Sequence, residues 1–346
     1  MIGALAVISV IPVLNLLSLG YMLEASARVA RSGRWRDGFI GMQSFSSLGK
    51  IVFGIWIWML PLRLIYSFWI DAELIDPGGA RGKELQGLFA VCASVVGLHL
   101  IWALIRGGRL RHFFWPAPIS FIRWLGTPHP VRPLWNSFVN RIKSLTILKY
   151  FRTGFFGFVV AAAWLALPVL VLFLGASVKL DGPAFLISLL GGILLGTVAL
   201  FLPFLQTRLA MTNSLREGFS IRSVRTLFRR APIAFWLALV ITLLFSLPLY
   251  LLKIELTPRE VAWLPNLLFV FFLFPARILT GWAVHRGEKR ETSRIWVSRW
   301  LARLAALPVV ATYVLVVWLS QYLSWHGSLS LIEQHAFLVP APLLGL

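Results

Sequence analysis

Two arginines stand where the sequence offers no water. Arg63 follows a proline by two residues in Leu60-Pro61-Leu62-Arg63, and Arg277 does the same in Phe274-Pro275-Ala276-Arg277. Each lies inside a run of ~20 apolar residues, the length that crosses a bilayer. A guanidinium at the centre of the hydrocarbon costs roughly 2.5–3.5 kcal/mol on insertion scales. One reading is an anion or lipid-phosphate site between helices, where proline-freed carbonyls and arginine donors share a polar cavity. The other is snorkelling: Arg63 is ~10 Å of helix from the outer end of its run and Arg277 is similarly close to the inner end, within reach of a long side chain. Arg63 and Arg277 are therefore the candidate binding residues. They fall in opposite leaflets, so two separate roles are expected of them.

Other reactive residue types read less sharply. Cys92 and His99 are seven residues apart in one apolar run and share a helix face. Such a pair could bind metal or relay a proton, but with no carboxylate nearby a hydrogen-bonded packing histidine is the simpler reading. Asp71, Glu73 and Asp76 precede Pro77-Gly78-Gly79; a turn could gather them round a cation, or they are simply solvated. His326, Glu333 and His335 are zinc-ligating types at a spacing no zinc motif uses. Cys92 is the only cysteine, which excludes an internal disulfide. The stretch Gly78 to Glu84 lacks the pattern of a phosphate loop, and neither His-Glu-x-x-His nor Gly-x-Ser-x-Gly occurs. No catalytic residue, metal or cofactor is expected, and the chain leans away from being an enzyme.

The elements that position these residues follow from composition. The 346 residues are 58% hydrophobic and only 13% charged, with a mean hydropathy of +0.81. Soluble domains carry about 25% charged residues. A soluble fold of this length would need more polar surface, which excludes an ordinary soluble enzyme, a disordered regulator and a secreted disulfide scaffold. Apolar runs predict eight spans, at 2–22, 49–70, 87–105, 154–176, 184–206, 232–252, 264–284 and 304–323. All but 87–105 contain a proline, which membrane helices tolerate. The expected fold is all-α: a polytopic transmembrane helix bundle of about eight spans with interfacial amphipathic helices.

The formal net charge of +20 then reads as topology. Alternation places 26 Lys and Arg on one side, counting Lys50 at its rim, against five on the other. That predicts a bacterial cytoplasmic (inner) membrane protein with both termini outside. The expected partners are anionic lipid headgroups, to which each basic residue near the surface contributes about 1 kcal/mol; nucleic acid is not expected. The interval 106–153 is a basic aromatic cytoplasmic insertion with nine Lys and Arg and no acid. From Leu134 it is helical in pattern, with Trp135, Phe138, Val139, Ile142 and Leu145 on one face and Arg141 and Lys143 elsewhere. In 220–230, Ile221, Val224 and Phe228 form one stripe and Arg222, Arg225 and Arg229 another. Both segments are expected to lie in the cytoplasmic interface, and 324–346 reads as an outer-face tail.

Residues 1–323 read as a single transmembrane domain, with a repeat that would divide it into parallel halves, 1–176 and 184–323. Arg36-Asp37-Gly38-Phe39 follows the first span and Arg216-Glu217-Gly218-Phe219 the fifth. Leu60-Pro61-Leu62 pairs with Leu247-Pro248-Leu249, and Ala166-Leu167-Pro168-Val169 with Ala306-Leu307-Pro308-Val309. Some transporters are built from such halves. Gly192 and Gly196, four apart in the fifth span, are a helix-packing signal.

The stretch from Val13 to Glu24, leading into the basic segment Arg28–Arg36, resembles uncharacterised bacterial multi-pass membrane families. In those, a Gly-Tyr-apolar run leaves the membrane into a short Arg-rich helix. Leu227 to Glu255 looks like the same kind of protein. The resemblance implies the class and no activity. Two functional readings remain. The first is a transport or lipid-handling protein, favoured by Arg63, Arg277 and the proline-kinked spans. The second is a non-catalytic scaffold that recruits lipid or a partner through its basic cytoplasmic face.

Overall fold

The computed structural model describes residues 1–11, 13–126, 146–178, 180–251, 263–324, 327–333 and 335. Among them every regular element is a helix. In chain order these are α1 (Ile2–Val10), α2 (Asn15–Ser32), α3 (Met42–Ile75), α4 (Ala80–Ile105), α5 (Leu110–Phe114), α6 (Pro118–Leu125), α7 (Ile147–Ser177), α8 (Asp181–Thr212), α9 (Ile221–Arg230), α10 (Pro232–Leu251), α11 (Trp263–Glu288), α12 (Trp296–Leu323) and α13 (Ser330–Glu333), with short 3₁₀ turns between some of them. Six are long and apolar enough to cross a membrane; a seventh counts if α9 and α10, bent by 116°, form one span. The protein is a multi-pass helical membrane protein. About eight spans were expected; the difference lies in the first and, unless α9 and α10 count together, in 232–252. The run 2–22 breaks after Val10, and α1, at ~1.5 Å per residue, is too short to cross. Pro12 stands at this break and has no N–H to donate to a helix.

The chain forms two compact units, one of residues 41–145 with Met1, the other of 2–40 and 146–346. The first unit is a hairpin of α3 and α4 with α5 and α6 at its foot. Its apolar residues point outward on all sides: Leu64, Leu74, Val91, Leu98 and Ile101 are all exposed, as expected of a helix pair whose solvent is hydrocarbon. At the turn, the Gly78 N–H donates to Glu73 Oε1 at 3.0 Å. Glu73 therefore stabilises the turn that the acidic cluster precedes. At the foot, Phe113 is buried and its ring fills the space above Gly54. The Phe113 carbonyl accepts from Trp58 Nε1 at 2.8 Å and from His99 Nε2 at 2.6 Å. His99 thus packs as a hydrogen-bonded ring against Trp58, centroids 4.9 Å apart.

The second unit is organised around α2. Residues Leu19 to Ala27 are all buried, Glu24 included. Its neighbours α7 and α11 approach at backbone distance. A Cβ on Gly20 would sit 1.7 Å from the Tyr150 carbonyl oxygen, one on Gly154 would sit 1.9 Å from that of Leu16, and one on Gly281 would sit 2.2 Å from that of Ser26. Small residues at such crossings are how membrane helices gain packing where hydrophobicity gives none. Gly192 and Gly196 act the same way, on α8 against Val314 and Val310 of α12.

Two corners of this unit repeat each other 180 residues apart. Helix α2 ends on Gly33 (φ 74°) and α8 on Asn213 (φ 55°), both left-handed, and each is followed by an extended residue, Arg34 or Ser214. The Asp37 N–H donates to Arg34 O and the Glu217 N–H to Ser214 O, both at 3.2 Å. Gly38 then packs on Val29 and Gly218 on Leu209, each nine residues upstream.

The backbone contact at Gly154 cannot yield to a methyl group. Gly154→Ala is expected to lower stability by at least about 1–3 kcal/mol. Gly87→Ala meets nothing within 4 Å and should be neutral or up to ~1 kcal/mol stabilising, since alanine is the better helix former. Thermal unfolding of the detergent-solubilised protein separates the two. In the hairpin foot, burial and the neighbouring Arg106, Arg111 and Arg109 hold the His112 imidazole below its ordinary pKa. The unfolded chain takes up that proton first, near pH ~6.5. Stability is therefore full above that value and is lost as pH falls from it towards the folded pKa. Thermal midpoints measured across this range should fall, and less so in His112→Gln.

Candidate anion site

Arg277 lies on α11 and is 1% exposed, the largest fully buried side chain of the chain's described residues. Its Nη1 and Nη2 are buried and have no hydrogen-bond partner among the described residues. A membrane interior leaves a guanidinium in this state only at high cost unless a counter-charge arrives.

One turn along α11, three helices meet through hydroxyl groups. Ser26 Oγ is 2.8 Å from Thr207 Oγ1 and 3.2 Å from Thr280 Oγ1, and the two threonines are 3.2 Å apart. Thr280 also donates to the Arg277 carbonyl at 2.8 Å, and Thr207 to that of Pro203 at 3.0 Å. With both threonine protons committed along their own helices, Ser26 supplies the proton that joins them. Tyr21 stacks near Phe274, Ser26 meets Thr280, and the Ala30 carbonyl meets His285 Nδ1. Helices α2 and α11 therefore run parallel, with Arg277 one turn before Thr280 on α11.

Beyond this layer, at the end where α2, α8 and α11 finish, the charges are paired. Glu24 is buried, and its Oε1 receives Arg31 Nη2 at 2.9 Å, Lys149 Nζ at 2.8 Å and Arg28 Nε at 3.4 Å. Arg31 Nη1 donates to the Met211 carbonyl as well. Arg208 on α8 binds Glu217 Oε2 at 2.8 Å and Glu288 Oε1 at 2.5 Å. Every carboxylate in these networks holds α8, α7 or α11 to a neighbour. Arg277 is buried and has no carboxylate partner among the described residues.

The expected site residues do not gather in one place. Arg63 is exposed on α3, in the hairpin unit, while Arg277 is buried in the other. Arg141 and Lys143 lie outside the described residues. Arg222, Arg225 and Arg229 are exposed on α9, whose Val224 and Leu227 are buried; Arg225 rests over the Phe201 ring at 5.7 Å. His335 Nε2 is hydrogen-bonded at 2.8 Å to the Leu331 carbonyl. Among the described residues no group of three His, Cys, Asp or Glu side chains could hold a metal ion. Sequence reasoning missed the Ser26–Thr207–Thr280 cluster and the burial of Glu24. The spacing of Glu24, Arg28 and Arg31 signals a charged helix face, but nothing local announces Lys149.

Comparison with known proteins reaches part of this site. Residues 143–256 match the model of a family described as Protein of unknown function (DUF4013). The matched stretch is about a third of the chain and covers α7 to α10. Lys149, Thr207, Arg208 and Glu217 fall inside the DUF4013 stretch; Glu24, Ser26, Arg277 and Thr280 fall outside it. No curated protein and no solved structure matches the chain.

Removing the Glu24 charge leaves three cations facing one another. Glu24→Gln is expected to cost about 1–3 kcal/mol, less than a fully buried pair because the cations remain well solvated. Lys149→Met should cost less, since two cations still cover the carboxylate. Thermal midpoints of both variants in detergent check the order.

Proposed function

We propose that this membrane protein binds an anion at Arg277 and that the site serves transport or lipid handling. The observation that supports the reading is the fully buried guanidinium with both terminal nitrogens unpartnered among the described residues, on the helix that, one turn on at Thr280, joins a cluster of three interhelical hydroxyls. Snorkelling would have carried this group to a polar surface, and a structural role would have given it a carboxylate. An anion entering the bundle supplies the missing charge and the missing acceptors together.

The repeated corners support the parallel-half reading, 1–176 and 184–323. They end α2 and α8, the helices that bring Ser26 and Thr207 to α11. A site between repeated elements is a common transporter plan. The charge distribution of the loops supports an inner-membrane location with both termini outside, facing anionic headgroups on the cytoplasmic side. The scaffold reading draws on a different observation, the exposed arginines of α9. It explains that surface but leaves Arg277 without a reason.

The test is anion-dependent thermal stability of the full chain in neutral detergent, with chloride, sulfate and inorganic phosphate as probes. At least one should stabilise the wild type. Arg277→Met should abolish that dependence while raising stability without anion by about 1–4 kcal/mol, because it deletes an unpaired buried charge. An Arg277→Met variant that responds to the anions like the wild type would overturn the proposal.

A further inference from the structure

A cavity of about 200 Å³ opens beside the start of α10 and the end of α11, and three arginines line it: Arg286, Arg290 and Arg294. Together with Trp282, which lines the same wall, they recur every four residues. Through the end of α11 that spacing keeps them on one side of the helix. The Arg286 guanidinium lies 5.1 Å from the Trp282 ring centroid, a cation–π contact that holds it over the opening. The segment after α11 is tied down by the Arg294 N–H, which donates to the Arg229 carbonyl at 2.9 Å, so the arginines are carried on anchored backbone.

No carboxylate lines this cavity. Glu288, at the end of the helix, is engaged by Arg208; Glu291, next to Arg290, is exposed and does not line the cavity, and no ion pair among the described residues includes any of the three arginines. The opposite wall is apolar. Pro232 and Ile233 line it, and Ile233 is 62% exposed. The cavity also lies at a boundary, for the apolar span of α11 ends at Glu288.

We propose that this cavity binds the phosphate of an anionic membrane phospholipid. Three guanidinium groups without a carboxylate partner match a phosphodiester, which they can meet with paired N–H donors; Arg290 also donates through Nη1 to the Arg230 carbonyl at 3.4 Å, which leaves its other nitrogens for the ligand. The volume equals that of about six or seven waters at ~30 Å³ each, enough for a phosphate with its glycerol. The acyl chains then lie outside, along Ile233 and the apolar flank of α10. A soluble phosphate would use the arginines but gain nothing from that wall, which is why the lipid is the assigned ligand. The site is separate from Arg277, and neither reading depends on the other.

The experiment is native mass spectrometry of the full chain in neutral detergent, titrated with dioleoylphosphatidylglycerol, with dioleoylphosphatidylcholine as the uncharged-headgroup control. The triple variant Arg286→Gln, Arg290→Gln, Arg294→Gln should lose phosphatidylglycerol affinity by about a hundredfold, from roughly fivefold for each basic contact. Its thermal midpoint in detergent should stay within a few degrees of the wild type, which reports that it is folded. A second triple variant, Arg222→Gln, Arg225→Gln, Arg229→Gln, removes equal charge from α9 and should retain most of the affinity. Equal losses in the two variants would show general surface attraction and overturn the site, as would undiminished affinity in the first. Displacement of the bound lipid by inorganic phosphate at comparable concentration would overturn the assignment to a lipid.

Discussion

The close approach of α2 to its neighbours is the constraint on which the rest depends. At Gly20, Gly154 and Gly281, backbone meets backbone, and no side chain larger than hydrogen fits. In a bilayer the usual driving force for helix association is absent, so dispersion at short range has to supply it. The consequence is that a helix with modest apolar character lies at the centre of the unit. Glu24 and Ser26 are polar residues of that helix, and their burial is forced by packing that glycines on other helices permit. Each then needs partners, which α7, α8 and α11 provide.

The polar residues are graded along the bundle. At one end lie two ion networks, around Glu24 and around Arg208, in which each charge has an opposite partner. Next comes the hydroxyl layer of Ser26, Thr207 and Thr280, polar but neutral. Arg277, one turn before Thr280, is charged, buried and without a carboxylate among the described residues. A purely structural bundle would place its best-paired charge deepest and leave its unpaired ones at the rim, since desolvation is costliest inside. Arg277 departs from that expectation, being fully buried with no carboxylate partner among the described residues.

Much of the fold was legible from apolar run length. The runs at 49–70, 87–105, 154–176, 184–206, 264–284 and 304–323 all became long helices, because lipid forces a backbone to satisfy itself within one segment. The first run was not legible, since hydropathy is blind to a break around Pro12, and Glu24 to Ser32 looked like an exit to solvent. The site shows the same limit more sharply. Pro61-Leu62-Arg63 and Pro275-Ala276-Arg277 have nearly the same local grammar, yet Arg63 is exposed and Arg277 is buried. What distinguishes them is the set of helices packed around α11, which come from distant parts of the chain. The four-residue spacing of Trp282, Arg286, Arg290 and Arg294 drew no reading from the sequence, because its meaning required the apolar wall from α10.

The mutual fit of Gly20 against Tyr150 and of Gly154 against Leu16 also limits how this protein can move. Sliding α2 along α7 by a single residue would drive Leu19 or Tyr21 into the opposing main chain. The pair therefore travels as one lever. Any alternation in access to the interior has to hinge at joints where longer side chains form the contact and can swap rotamers.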